Sequence, residues 1–139
     1  MKQRLLLLDW KSVISTMTKP VLFLFIPIIL LSCVTNDEKI KAGSICTVEN
    51  GDGKFGVIKV LVINDKEAHV KVYKNMYDKR PAQIDIKTLS IGSINDKDGF
   101  GMGHIPLQRK EFDSWKPVSV GHEKVTKEDL EGYEIWKSE

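Results

Sequence analysis

The chain has 139 residues, with 21 basic and 19 acidic side chains and a formal net charge of +2. That length allows one ordinary domain. The excess of positive charge lies in the first 32 residues, where Lys2, Arg4, Lys11 and Lys19 face the single acid Asp9. Residues 33–139 carry 17 basic against 18 acidic residues, a net charge of −1. Nucleic-acid binding calls for a clustered excess of Lys and Arg, so the charge excludes it as the chain's business.

The first predicted element is an export signal. An apolar run, Val21-Leu-Phe-Leu-Phe-Ile-Pro-Ile-Ile-Leu-Leu31, follows Lys19-Pro20 and ends at Ser32-Cys33. A basic n-region, a short apolar h-region and a small residue at its end are the parts of a secretory signal. The run is shorter than the roughly 20 residues that cross a bilayer. Asp9, Lys11 and Lys19 interrupt any extension back to Leu5–Leu8. Met17-Thr-Lys-Pro-Val begins a compact signal by itself, so translation is expected to start at Met17.

Leu30-Leu31-Ser32-Cys33 resembles the lipobox of bacterial lipoproteins. The resemblance implies cleavage before Cys33, a diacylglyceryl thioether on its sulfur and acylation of the new amine. Residues 1–32 are then a cleaved signal helix, and 33–42 a lipidated Cys and tether. Several acyl chains on one residue anchor stably, whereas one chain binds marginally. The implied address is the bacterial cell envelope. Val34 stands where an Asp would signal inner-membrane retention, which favours the outer membrane.

With Cys33 acylated, Cys46 has no partner in its own chain. Its surroundings, Ser44-Ile-Cys-Thr-Val48, are apolar and β-favouring, so a buried structural thiol is expected. A Cys33–Cys46 disulfide arises only if Cys33 escapes lipidation.

The folded domain is expected over residues 43–139, and its pattern is strand after strand. Ser44–Glu49 leads into the glycine turn Asn50-Gly-Asp-Gly53. Lys54–Ile63 follows, with Ile58, Val60 and Val62 on one face. After Asn64-Asp-Lys-Glu67, Ala68–Lys74 alternates: Ala68, Val70 and Val72 inward, His69, Lys71 and Tyr73 outward. Gln83–Lys87 alternates again, with Ile84 and Ile86 inward. Leu107–Trp115 reads as helical, putting Phe112 and Trp115 on one face before Pro117. Thr126-Lys-Glu-Asp129 has capping-box spacing for a second short helix, closed by Gly132. Tyr133-Glu-Ile-Trp136 is expected as a terminal strand or an extended segment packing its aromatics. The fold class is therefore mainly β: a small barrel or sandwich with two short C-terminal helices.

Gly53-Lys-Phe-Gly-Val-Ile-Lys-Val60 and the hairpin into His69–Tyr73 resemble SH3-like or Tudor/KOW-type barrels. The later stretch, Gly101-Met-Gly-His-Ile-Pro-Leu107 through Phe112-Asp-Ser-Trp115 to Leu130-Glu-Gly-Tyr133, is similar to a family of uncharacterised bacterial immunity-like proteins. That resemblance implies no activity.

Candidate chemistry is sparse. His69, His104 and His122 are separated too widely for a compact metal-ligand spacing. Asn95-Asp-Lys-Asp-Gly99 lacks the complete ligand series and terminal Glu of a calcium loop, and reads as an exposed turn. Gly99-Phe-Gly-Met-Gly103 lacks the Lys and the strand–loop–helix setting of a phosphate loop, and reads as mobile. No cofactor is called for, and no nucleophile has a base at a justifiable spacing. What remains is a surface. His69 and Tyr73 on an outward strand face, Phe100 in the glycine loop, and His104 between Gly103 and Pro106 are the candidates for a partner site. The favoured function is a lipid-anchored envelope module that binds a protein partner. The alternatives are a structural envelope lipoprotein, or a metal-binding or enzymatic domain using His104 with Asp96 and Asp98.

Overall fold

The computed structural model describes residues 38–139. The export signal, the Met17 start, Cys33 and most of the tether lie outside the described residues. The fold is mainly β, as the alternation predicts: strands β1 (Ser44–Glu49), β2 (Phe55–Ile63), β3 (Glu67–Tyr77), β4 (Met102–Gln108) and β5 (Val118–His122). Two short helices, α1 (Arg109–Ser114) and α2 (Glu131–Ser138), lie in the C-terminal third. The strands form one antiparallel sheet in the order β4-β3-β2-β1-β5.

The turns form where their residues dictate. Asn50 closes the first by accepting from the Gly53 amide at 3.0 Å, while Asp52 Oδ1 accepts from the Lys54 amide. In the second, Asn64 Oδ1 accepts from the amides of Lys66 and Glu67 at 2.8 and 3.0 Å, an Asx turn. Arg109 N–H then ties the start of α1 back to the Lys66 carbonyl.

One face of the sheet holds the larger core: Cys46, Val48, Ile58, Val60, Ala68, Val70 and Leu107, covered by Phe112 of α1 and by Trp115. Ile40, ahead of β1, packs against the same cluster. Cys46 is fully buried and unpaired, the structural thiol its apolar neighbours predict; burial pushes the thiol up to about 12.

The opposite face is also covered. Ile45, Val57 and Tyr73 form its apolar half, under Tyr77, Ile84, Ile86 and Leu89. Ile84 and Ile86 do point inward, but their segment is not a strand. Asp85 caps a 3₁₀ turn over Ile86–Thr88, its Oδ1 accepting from the Lys87 amide. Arg80 pins this segment down, donating to the Thr47 carbonyl and hydroxyl at 3.0 and 2.7 Å while its guanidinium lies over Phe55.

Three further elements differ from expectation. The glycine stretch expected as a loop over Gly99–Gly103 runs into an edge strand, Met102–Gln108, bulged between its Val70 and Val72 pairings, and the helix expected from Leu107 starts at Arg109. Pro106, which cannot donate to a ladder, is tolerated at that edge. The capping box forms: Asp129 N–H donates to Thr126 Oγ1, and Asp129 Oδ2 accepts from the Thr126 amide. It opens a 3₁₀ turn over Glu128–Leu130 that runs directly into α2, so Gly132 lies inside the helix and does not close it. Tyr133–Trp136 is therefore helical.

Candidate functional site

Lys59 points from the centre of β2 into the second face, where it is 1 % exposed. A buried ammonium is tolerable only when every proton is received. Its Nζ donates to Glu123 Oε2 at 2.6 Å, Asp129 Oδ2 at 2.8 Å and the Lys124 carbonyl at 3.2 Å. Lys71, opposite Lys59 in register, donates to the other Asp129 oxygen at 2.8 Å. Burial alone would raise the Asp129 carboxyl, but the two ammonium groups and the Thr126 amide override it and hold the acid well below its ordinary range. This cluster fastens the chain after β5 across the sheet.

Beside it lies a histidine pair. His69 is fully buried and accepts or donates at Nδ1 to His104 Nε2, 2.9 Å away. The rings are nearly coplanar, 5° apart, with centroids separated by 5.1 Å. Tyr133 and Trp136 of α2 meet His69 edge-on at 4.7 and 4.6 Å. His69 Nε2 lies 3.4 Å from Glu67 Oε1 without hydrogen-bond geometry, and is the buried side-chain polar atom left without a partner among the described residues. Burial, and the neighbouring His69, hold His104 below the usual imidazole value. Gly132 permits the packing: a Cβ there would lie 2.5 Å from His104 Cβ.

A third feature opens on the first face. A cavity of about 320 Å³ is bounded by Val48, Ile58, Val72, Met76, Ile105 and Trp115, with Glu49 and Asn50 at its edge. Its size falls in the range of ligand and side-chain pockets. Met76 is 44 % exposed on its wall, and Met102, paired with the lining residue Val72, is 51 % exposed. Phe100 is half exposed two residues earlier.

The sequence candidates therefore divide. His69 and His104 come together, His69 fully buried and His104 half-buried, as a contact between side chains and not as an open surface. Tyr73 is likewise buried, 7 % exposed, and burial with the nearby Glu123 and Asp129 charges pushes its hydroxyl up to about 12. The alternation along β3 holds, but its polar face is largely shielded, because residues 79–91 and 123–138 lie over it, and only Lys71 of the three keeps a fifth of its side chain in water. Phe100 is exposed as expected. His122 lies apart, against the Ala42 carbonyl. Asp96 and Asp98 face Lys74 at 2.9 and 3.8 Å, so an ammonium occupies the place of a cation in that turn. Among the described residues no three His, Cys, Asp or Glu side chains converge as a metal site. No Ser or Thr hydroxyl among them hydrogen-bonds to a histidine ring. Lys59, Asp129 and Trp115 are site residues that the sequence alone does not mark as functional. Its hints are the capping-box spacing of Asp129 and the helix face shared by Phe112 and Trp115.

No family model matches the chain, and no curated protein or solved structure matches it.

Proposed function

We propose that this chain is a lipid-anchored envelope binding module that captures a protein partner, in the manner of an immunity-type protein, with Cys33 carrying the anchor. The observation that supports it is the cavity walled by Trp115 and flanked by exposed Met76 and Met102. Interfaces concentrate their energy in an apolar or aromatic anchor that fills such a pocket, and methionine adapts to irregular partners. An inserted apolar side chain is the ligand this chemistry fits. The lipobox supports the address, and residues 33–42 supply the reach from the membrane.

The test places a photo-crosslinking residue at Met76 in growing cells, with the same residue at exposed Lys127 as control. One protein crosslinked from position 76 and not from 127 is expected, and Met76→Glu should reduce its capture at least about tenfold, equivalent to about 1.4 kcal/mol. Identical products from both positions, or none, overturn the reading. The anchor is tested separately. Cys33→Ala should move the protein from the membrane to the soluble fraction and leave it without the acyl mass; unchanged partition and mass overturn lipidation.

A further inference from the structure

We infer that α2 is a proton-operated latch, held against the sheet while the His69–His104 junction carries one proton and released when both facing nitrogens are protonated. The latch does not depend on any partner at the cavity. The facing nitrogens are 2.9 Å apart, and the rings are coplanar within 5° with centroids 5.1 Å apart. Those values describe a straight N–H···N bond between ring edges. One nitrogen brings the hydrogen and the other a lone pair. Glu67 Oε1 beside His69 Nε2 favours the tautomer protonated there. His69 Nδ1 then accepts, and His104 Nε2–H donates.

A neutral pair carries two ring protons, one of them in the junction. A third proton leaves one hydrogen between the rings, and Glu67 stands ready as its counter-charge. A fourth sets two N–H donors and two positive charges head-on, a contact that cannot persist at this distance.

The neighbouring groups among the described residues provide no second counter-ion. On β3, Lys71 is a further cation, and its partner Asp129 in the 3₁₀ turn is already shared with Lys59 of β2. Glu123, after β5, is taken by Lys59. From α2 come the neutral rings of Tyr133 and Trp136, Lys137 over Tyr133, and Glu131 and Glu134, neither of which makes an ion pair with either histidine ring. β4 contributes His104 itself.

Little else holds the helix. It is the last element described, none of its residues is buried, and Trp136 and Ile135 are 40 % and 64 % exposed. Its grip on the sheet runs through the ring edges on His69 and the close pass of Gly132 over His104. The hinge lies after Leu130, because Asp129 stays fixed by two lysines.

The pH dependence follows from the proton count. The closed junction holds only one of the two added protons, whereas the open chain takes up both below the imidazole value of about 6.5, so the closed state has full stability above that value and loses it as pH falls. Burial and the neighbouring His69, which lower His104, act in the same direction. Asp129 is also lowered, and its pin fails only below the ordinary carboxyl value of about 3.9. Between those limits α2 opens while the sheet stays intact.

The experiment is fluorine NMR of the full chain in detergent micelles, labelled with fluorotryptophan and titrated from about pH 7.5 to about pH 4.5. The chain has three tryptophans, and Trp136→Phe assigns the reporter on α2. The Trp136 resonance should move to its solvent-exposed position with a midpoint below about pH 6.5, while Trp115 in the core wall stays still. The double variant His69→Gln/His104→Gln should lose the transition. A Trp136 resonance that does not move in the native chain overturns the latch, whether or not the variant folds. So does a Trp115 resonance that moves with it, which reports global unfolding, or a transition that survives in the double variant.

Discussion

Asp129→Ala should cost about 3–5 kcal/mol of stability, lowering Tm by at least about 12 °C for a domain of this size. The residue is 7 % exposed and receives two ammonium groups through different carboxylate oxygens. Its removal leaves Lys59 inside the protein with Glu123 and one carbonyl, and Lys71 with no carboxylate. It also cuts one arm of the Thr126 box that starts the last turn of chain. Much of the loss comes from the buried Lys59 charge left without its full set of partners. The double variant Lys59→Met/Asp129→Leu should recover much of the loss, since apolar replacement of a whole buried ion pair is often neutral. Chemical denaturation of the three proteins measures this. An Asp129→Ala loss under about 1 kcal/mol would mean that the cluster behaves as a solvated surface pair.

Gly101→Ala should cost about 3 kcal/mol, the upper end for overpacking. A Cβ at this position would lie 2.0 Å from the Val72 carbonyl oxygen and 2.9 Å from its carbon. Both atoms are backbone of β3, so no side chain can rotate away. The start of β4 must move off β3, taking with it the Met102–Val72 pairing and the Gly101 amide bond to the Ile91 carbonyl. Gly103→Ala is the control: a Cβ there meets nothing within 4 Å. Its change should stay within about 0.5 kcal/mol, as for an ordinary surface position. Equal losses at both glycines would mean that close approach does not set the cost, since the entropy change of Gly→Ala acts in the stabilising direction.

These two residues mark where the sequence is legible and where it is not. The first three strands can be read because Val and Ile alternate between turns rich in Asn, Asp and Gly, and both signals are local. The same residues that disguise β4, Gly101, Gly103 and Pro106, are what an edge strand needs to cross close to its neighbour, bulge and stop. Tyr133–Trp136 looks extended because aromatics favour strands, yet the Thr126 box upstream nucleates a 3₁₀ turn that continues as helix. The polar face of β3 holds the larger surprise. His69 finds its partner 35 residues away, and Lys59 finds Asp129 70 residues away. No local pattern distinguishes a lysine bound for water from one bound for such a partner, so a face covered by the C-terminal segment reads as a solvent face.

The burial of Cys46 also has a meaning in time. Cys46 pairs with Ile58 on one side and Ser119 on the other. The hairpin to β2 closes quickly because it spans few residues, whereas β5 reaches β1 only when Ser44 meets His122, the most sequence-distant strand pairing in the sheet. Long-range pairings are the slow ones. Until the core of the first face closes, the thiol is expected to meet water and to ionise near its ordinary value of about 8.5. Afterwards it is sealed and inert. In an oxidising compartment, the interval before the fifth strand docks would be the period in which this cysteine is most open to a wrong disulfide.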